Sequence, residues 1–345
     1  MSSLLLDEIH QQPDVVARLL VEQAEPIARL AARMRSESID HVLIAARGTS
    51  DNAARYAQYV LGAHNQLVVA LAAPSLFSRF PQAPRLHRTL VVGISQSGQS
   101  PDIVGVLNAA RHQGAPTVAL TNTPGSPLAA GADHVIDLCA GLERSVAATK
   151  TYTSALAALA MLSAALGADE LTTGLAAAPA ALVAALTAAP QAQAAAKALA
   201  AASRCVVLGR GFNYATAFEL SLKVKELTHL LAEPYSSADF MHGPLAVIEP
   251  GFPVVVLDIG ATFRAEFATL REQLAQAQAR VIVLTDEPTS ARAGELIVPV
   301  PATLPEALSP LAAILPGQLL AFYLAHARGL DPDTPRSIRK VTETH

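Results

Sequence analysis

Cysteine is nearly missing from this sequence: its 345 residues contain two, Cys139 and Cys205. They stand far apart, in no CxxC pair and near no histidines at metal-ligand spacing. That argues against a disulfide framework or a zinc site and leaves two buried core thiols as the expectation. Charge is scarce as well. Asp, Glu, Lys and Arg make up 16% of the chain against 51% apolar residues, the balance of a chain with ample core and not of a disordered one. The formal net charge is −4 and the pI about 6.2, so no overall basic field recruits nucleic acid, although a local basic pocket for a phosphate stays compatible. The opening MSSLLLDEIHQQPD has acids where a signal peptide needs bases. The most apolar stretch, 174–203, is mostly alanine and contains Pro179, Pro190 and Lys197. It reads as two helices broken near Pro190 and not as a membrane span. A cytoplasmic protein with neither membrane nor nucleic acid as partner is expected.

What is present is an alternation of short apolar runs and helical segments. Residues 4–34 read as an amphipathic lead-in interrupted around Pro13 and Pro26. Apolar runs at 41–46 (HVLIAA), 90–94 (LVVGI), 117–120 and 135–138 predict strands, with helices over 51–61 and 101–113. The order recurs later: strands at 204–208, 253–257 and 281–285, helices over 215–231 and 264–277. Strands apolar throughout and alternating with helices indicate parallel sheets covered on both faces. Gly48 and Gly211 lie 163 residues apart, Thr121 and Thr285 164 apart. This near-constant separation predicts an α/β chain of two tandem doubly wound, flavodoxin-like units with a helical N-terminal lead-in. The expected boundaries are 1–36 for the lead-in, 37–172 and 200–335 for the two units, 173–199 for a helical connection and 336–345 for a tail.

One loop carries a chemical signal. Ser95-Gln96-Ser97-Gly98-Gln99-Ser100-Pro101-Asp102 follows a buried strand and opens a helix. Ser100 suits an N-cap, Pro101 the first turn and Asp102 the helix dipole. Three hydroxyls, a glycine and free backbone N–H groups can surround a phosphate without any arginine. The corresponding loop of the second half, 258–263 (DIGATF), has one hydroxyl, so one phosphate site per chain is expected.

These residues resemble a known family. SQSGQSPD looks like the phosphosugar loop of sugar isomerase (SIS) domains, and ARGTS at 46–50 resembles the first-strand loop, whose serine, here Ser50, helps hold the sugar phosphate. ERSVAATK at 143–150 resembles the segment lining the sugar ring, with Val146 and Ala148 as the implied contacts. The run from Leu208 to Ile248 and the closing DPDTPRSIRKVT are similar to the isomerase half of glucosamine-6-phosphate synthase. The resemblance covers nearly the whole chain.

Roles follow from it. Glu226 matches the glutamate that shuttles a proton between C1 and C2 of the open-chain sugar, work suited to a carboxylate partly removed from water. Lys223, three residues earlier on the same helix, would stabilise enolate-type charge. Read by spacing alone, these residues fit surface ion pairing better than catalysis, Glu219–Lys223 being an example. His242, in Met241-His242-Gly243-Pro244, matches the ring-opening histidine supplied across a dimer interface, and its loop, Pro234 to Pro244, rich in Ser, Asp and Gly-Pro, is expected to reach outward to a partner. Lys340 matches a tail lysine that closes over the substrate, as a Schiff base or as a charge.

Departures from the synthase pattern are specific. The chain begins Met1-Ser2 without a counterpart of the synthase's glutaminase domain, Ala148 stands where the pattern carries serine, and the tail is one residue shorter before Val-Thr. These features resemble stand-alone SIS deaminases. The resemblance thus implies conversion of glucosamine 6-phosphate to fructose 6-phosphate and ammonia by a homodimer with shared sites, needing no metal or organic cofactor. Rival readings are synthesis from free ammonia, action on a galactosamine or fructosamine phosphate, and a sugar-phosphate sensor. The last lacks the basic helix-turn-helix domain a sensor carries.

Overall fold

The computed structural model describes residues 3–80 and 82–336; Lys340 and the rest of the tail segment lie outside them. The chain divides into two compact units, one of residues 14–143 and 150–176, the other of 3–13, 144–149 and 177–336. The first contains β1 (His41–Ala45), α3 (Thr49–Asn65), β2 (Val68–Leu71), α4 (Ser75–Ser78), β3 (Thr89–Ser95), α5 (Pro101–His112), β4 (Thr117–Thr121), α6 (Pro127–Ala130), β5 (His134–Asp137) and α7 (Lys150–Ala165). Before them come α1 (Leu4–Glu22) and α2 (Ala24–Ser36), and after them α8 (Glu170–Leu186). The second contains α9 (Ala189–Leu199), β6 (Arg204–Gly209), α10 (Tyr214–Thr228), β7 (Leu231–Ser236), α11 (Ser237–Met241), β8 (Pro253–Asp258), α12 (Arg264–Gln276), β9 (Arg280–Thr285), β10 (Leu296–Pro299) and α13 (Ser309–Ala327).

Each unit has a five-stranded, wholly parallel sheet, ordered β2-β1-β3-β4-β5 in one and β10-β9-β8-β6-β7 in the other. Counted within each unit both orders are 2-1-3-4-5, the flavodoxin-like doubly wound arrangement. The duplicated order of elements expected from the repeated spacing is therefore present in the sheets themselves. Strand side chains alternate between two cores, as the period of two requires. In the second unit Val207, Val255 and Ile282 face α9, α10 and α13, while Val206, Leu208, Val254 and Val256 pack with Phe240, Phe267 and Leu270.

The lead-in departs from expectation. Pro13 does not interrupt α1, because the side chain of Gln12 donates to the Ile9 carbonyl (3.0 Å), the group orphaned by the missing proline N–H. The break falls at Gln23, and Pro26 sits in the first turn of α2, where proline is tolerated. Nor is the lead-in one segment. Leu5 and Ile9 belong to the second unit's core, whereas α2 belongs to the first unit. The alanine-rich stretch does form two helices, α8 and α9, with Pro190 in the first turn of α9. Among the described residues one helix, ending at Ala327, is by itself long and apolar enough to cross a membrane, with 94% of its apolar stretch buried; α8 and α9 pass only when taken together across a 55° bend. Cys139 and Cys205 are free and buried, and desolvation pushes both thiols up to about 12.

Close helix–strand approach sets the loop after β6. A Cβ on Gly209 would lie 2.4 Å from the Asn213 carbonyl oxygen, a backbone atom that cannot swing away, whereas one on Gly93 would meet the flexible ends of Leu107 and Leu128 at 2.8 and 2.9 Å. Gly209→Ala is therefore expected to destabilise by about 1–3 kcal/mol, the usual cost of overpacking, and Gly93→Ala by less. Thermal unfolding of the two variants side by side checks the order; equal losses would contradict it.

Candidate active site

In a 2-1-3-4-5 sheet the connections after the first and third strands leave in opposite directions, so the carboxyl ends of those adjacent strands stay uncovered and form the usual ligand crevice. In the first unit these are β1 and β3, paired in register from His41–Thr89 to Ala45–Gly93. The loop after β3 contains Ser95, Gln96, Ser97 and Ser100 together. Buried Ser95 accepts from the Gly98 N–H through Oγ (3.1 Å), and Ser97 Oγ accepts from the Gln99 N–H (3.3 Å). Gly98 has φ +62°, and a Cβ there would lie 2.0 Å from Ser126 Oγ, so only glycine fits. The Gln96 carbonyl accepts from the Asn122 N–H (3.2 Å), which ties the loop to the end of β4. Ser100 occupies the N-cap position of α5 in extended conformation, but its side chain makes no cap hydrogen bond. The expected cap is thus correct in place and wrong in contact, and the hydroxyl stays available to a ligand.

Ser50 lies half-buried in the first turn of α3, directly after β1, with Gly48 at φ +54° making the turn. The same loop supplies a residue that the sequence reading passed over. Arg47 reaches Asp102 at the start of α5, Nε and Nη2 both on Oδ2 at 2.9 and 2.8 Å. A serine-only loop was expected; a guanidinium, half exposed and held by a buried carboxylate, stands beside it. Its position immediately before Gly-Thr-Ser was the available signal.

The 143–150 segment is anchored at both ends. Glu143 accepts from the Thr151 N–H and hydroxyl (3.1 and 3.0 Å), capping α7, and Lys150 donates to the Leu142 carbonyl (2.9 Å). In the second unit, Glu8 accepts from the N–H groups of Arg144 and Ser145. Val146 and Ala148 are half-buried between these anchors.

The second unit's titratable cluster lies on α10. Lys223 Nζ is 2.5 Å from Glu226 Oε2 and 3.5 Å from Glu219 Oε1, and the side chains are 1%, 24% and 0% exposed respectively. The surface ion pair that spacing allowed is therefore overturned: helix packing removes both Glu219 and Lys223 from water. Glu219, one turn from Lys223, is the carboxylate that sequence reasoning left outside the site. Of the three, only Glu226 keeps a side open to a ligand. The helix is held rigidly: Ser221 donates to the Ala232 carbonyl (2.6 Å), Thr216 to Asn213 Oδ1 (3.0 Å), and Gly317 of α13 lets Leu220 pack at close range.

His242 is exposed at the end of α11. It does not lie in the long loop expected over 234–244, since residues up to Ser236 form β7 and the next five a short helix. Ser236 caps that helix by accepting from the Asp239 N–H (3.1 Å), and Phe240 is fully buried, so the histidine sits on an anchored turn.

Comparison with known proteins now bears on these two sites. The model of the SIS domain matches residues 37–165 and again 198–326. This chain belongs to the SIS family. Its two SIS domains are similar to proteins named glutamine–fructose-6-phosphate aminotransferase (isomerizing) from Gloeobacter violaceus, 33% identical over 97% of this chain and 58% of that one, and from Methanothermobacter thermautotrophicus, 34% identical over 97% and 56%. The chain thus spans a little over half the length of these curated relatives. Among solved structures, a candidate phosphosugar isomerase from Silicibacter pomeroyi superimposes with a TM-score of 0.87 at 36% identity, covering 96% of this chain and all of that one. The glucosamine-6-phosphate deaminase of Thermotoga maritima shares the fold, with a TM-score of 0.75 at 19% identity over 99% of this chain and all of that one.

Burial of the α10 cluster has a measurable consequence. Removing one partner of a buried ion pair strands the other charge, at a cost of about 3–5 kcal/mol. Lys223→Met should destabilise the second SIS domain on that scale, and adding Glu219→Gln should recover part of the loss. Denaturant unfolding of the single and double variants tests the coupling; strictly additive losses would mean that the two residues do not act as a pair.

Proposed function

We propose that this SIS chain is an aldose–ketose isomerase of amino-sugar phosphates that couples isomerisation to deamination, converting glucosamine 6-phosphate to fructose 6-phosphate and ammonia in the cytoplasm. The observation that carries the reading is the Lys223–Glu226 pair on α10, a carboxylate open to a ligand with a buried ammonium against it. In this reading Ser95, Gln96, Ser97, Ser100 and Ser50 hold the phosphate, with Arg47 adding charge, and Val146 and Ala148 border the ring. His242 opens the ring by proton transfer. Glu226 then takes the proton from C2, which the C1 carbonyl acidifies, giving an enolamine, and returns a proton to C1. Lys223 stabilises the oxyanion charge of that step. Water adds to the resulting C2 imine and ammonia leaves, so atoms balance without an oxidant. Lys340 of the tail is assigned to the carbonyl end of the substrate. The relatives' name supports amino-sugar chemistry at C2.

Incubating the purified chain with glucosamine 6-phosphate should yield equal amounts of ammonia and fructose 6-phosphate, with galactosamine and fructosamine phosphates as the comparison panel. Glu226→Gln should lower turnover at least about a hundredfold and abolish solvent deuterium incorporation at C1 and C2. Exchange at the native rate in the variant would assign the base elsewhere, and formation of glucosamine 6-phosphate from glutamine by this chain alone would overturn the deaminase reading.

Exposure of His242 on a fixed turn supports a second element of the proposal, a homodimer in which this histidine completes the neighbouring chain's site. Mixing His242→Ala with Glu226→Gln chains and allowing exchange should restore about a quarter of native activity, because half the dimers are mixed and each has one intact site. A mixture that stays inactive, although a labelled subunit proves exchange, would place His242 in its own chain's site.

A further inference from the structure

The second SIS domain repeats the topology of the first down to the uncovered loop between adjacent strands, and the occupant of that loop is part of the chain. Ser95 and Asp258 end β3 and β8, and Pro101 and Arg264 open α5 and α12, each pair 163 residues apart. Consecutive N–H groups of the loop just before α12, those of Ala261 and Thr262, converge as they would on a phosphate. What they meet is Glu306: its Oε2 accepts from the Ala261 N–H (3.0 Å), the Thr262 N–H (3.2 Å) and the Thr262 hydroxyl (2.9 Å). The fit is close, since a Cβ on Gly260, φ +85°, would lie 2.3 Å from the Glu306 carboxyl carbon. The Gly260 N–H goes to Asp286 (3.0 Å).

The first domain contains the counterpart, 163 residues earlier: Glu143, which accepts from Thr151 at the start of α7. Among the described residues no acidic side chain is hydrogen-bonded to the 96–100 loop. Asp258, at the position of Ser95, adds a second carboxylate at the base of the other loop, held by Arg271 (2.8 Å) and Arg264 (3.4 Å).

We infer that the loop after β8 is an oxyanion-binding site that the chain fills with its own Glu306 carboxylate, a built-in substitute for the phosphate that a duplicated domain would otherwise bind. The site's ligand class is a carboxylate or a tetrahedral oxyanion, and in the native chain it is closed to sugar phosphates. Glu306 also joins this loop to the catalytic helix. Ser309 donates to the Glu306 carbonyl (2.7 Å) and accepts from Asn213, whose Oδ1 receives the Thr216 hydroxyl of α10.

The test is thermal unfolding of the full-length native chain, Glu306→Ala and Glu306→Gln in inorganic phosphate and in sodium chloride of equal ionic strength. The native response to phosphate reports the 95–100 loop and so tests the substrate assignment above; the difference between variant and native reports the loop after β8. Glu306→Ala should unfold at lower temperature than the native chain in chloride. A tenfold excess of phosphate over its dissociation constant should raise its midpoint about 2–4 °C beyond any native rise, and a crystal grown in phosphate should contain the anion at Ala261 and Thr262. If the alanine variant does not fold, Glu306→Gln decides, because a neutral amide yields to an anion. A folded variant whose phosphate response equals the native one, or is matched by chloride, overturns the inference.

Discussion

Two adjacent parallel strands whose onward connections leave on opposite sides cannot have their carboxyl ends covered by either connection. This constraint, met by β1 with β3 and by β6 with β8, decides where each SIS domain exposes backbone N–H groups. The strands are apolar and fully buried, so the polar groups at their ends need other partners. In the first domain the partners are loop hydroxyls, with Arg47 alongside. In the second they are the carboxylates of Glu306 and Asp286. The same bare junction, with different side chains at it, is lined by hydroxyls in one copy and sealed by a carboxylate in the other.

Sealing that joint has a structural consequence within the second domain. Helix α10 has a lysine 1% exposed between two carboxylates, an arrangement that tolerates little movement, because a shift of either oxygen leaves charge in a low-dielectric surrounding. Its rigidity comes from α13 packed through Gly317 and from the Asn213–Ser309 link. Each ends on elements that Glu306 holds against the loop after β8. A mobile phosphate in that loop would make the position of α10 depend on ligand; an internal carboxylate makes it permanent.

What could be read in the sequence follows burial. Central strands covered on both faces are continuous apolar runs, and all of them were legible within a residue or two. The strands overlooked, β2, β7 and β10, are edge strands with partly exposed, broken patterns, and β7 contains Pro234, tolerated there because an edge strand has an unpaired side. The extended 234–244 loop disappeared for that reason. The hydroxyl loop was legible because its composition is local. Arg47 was not, because its place is set by Asp102, 55 residues away. Pro13 misled because the compensating donor is a side chain, Gln12, whose rotamer no pattern shows. Glu219 was visible as an i,i+4 partner of Lys223, but spacing on a helix cannot say whether that face is wet or buried.

Duplication explains why such a chain can separate two demands within one fold. Both copies have a loop after the third strand, beginning at Ser95 or Asp258, and a glutamate at the matching later position, Glu143 or Glu306. Glu143, turned onto the N-terminus of α7, stabilises its own helix through the dipole and the two Thr151 donors. Glu306 turns the other way, across to the loop after β8. The connections that follow differ: six residues, 144–149, lie between Glu143 and α7, whereas two, 307 and 308, lie between Glu306 and α13. The Glu306 carboxylate makes its hydrogen bonds to Ala261 and Thr262, and α13 has no side-chain cap. The same fold thus leaves the 96–100 loop without an acidic partner among the described residues and gives the loop after β8 the carboxylate of Glu306.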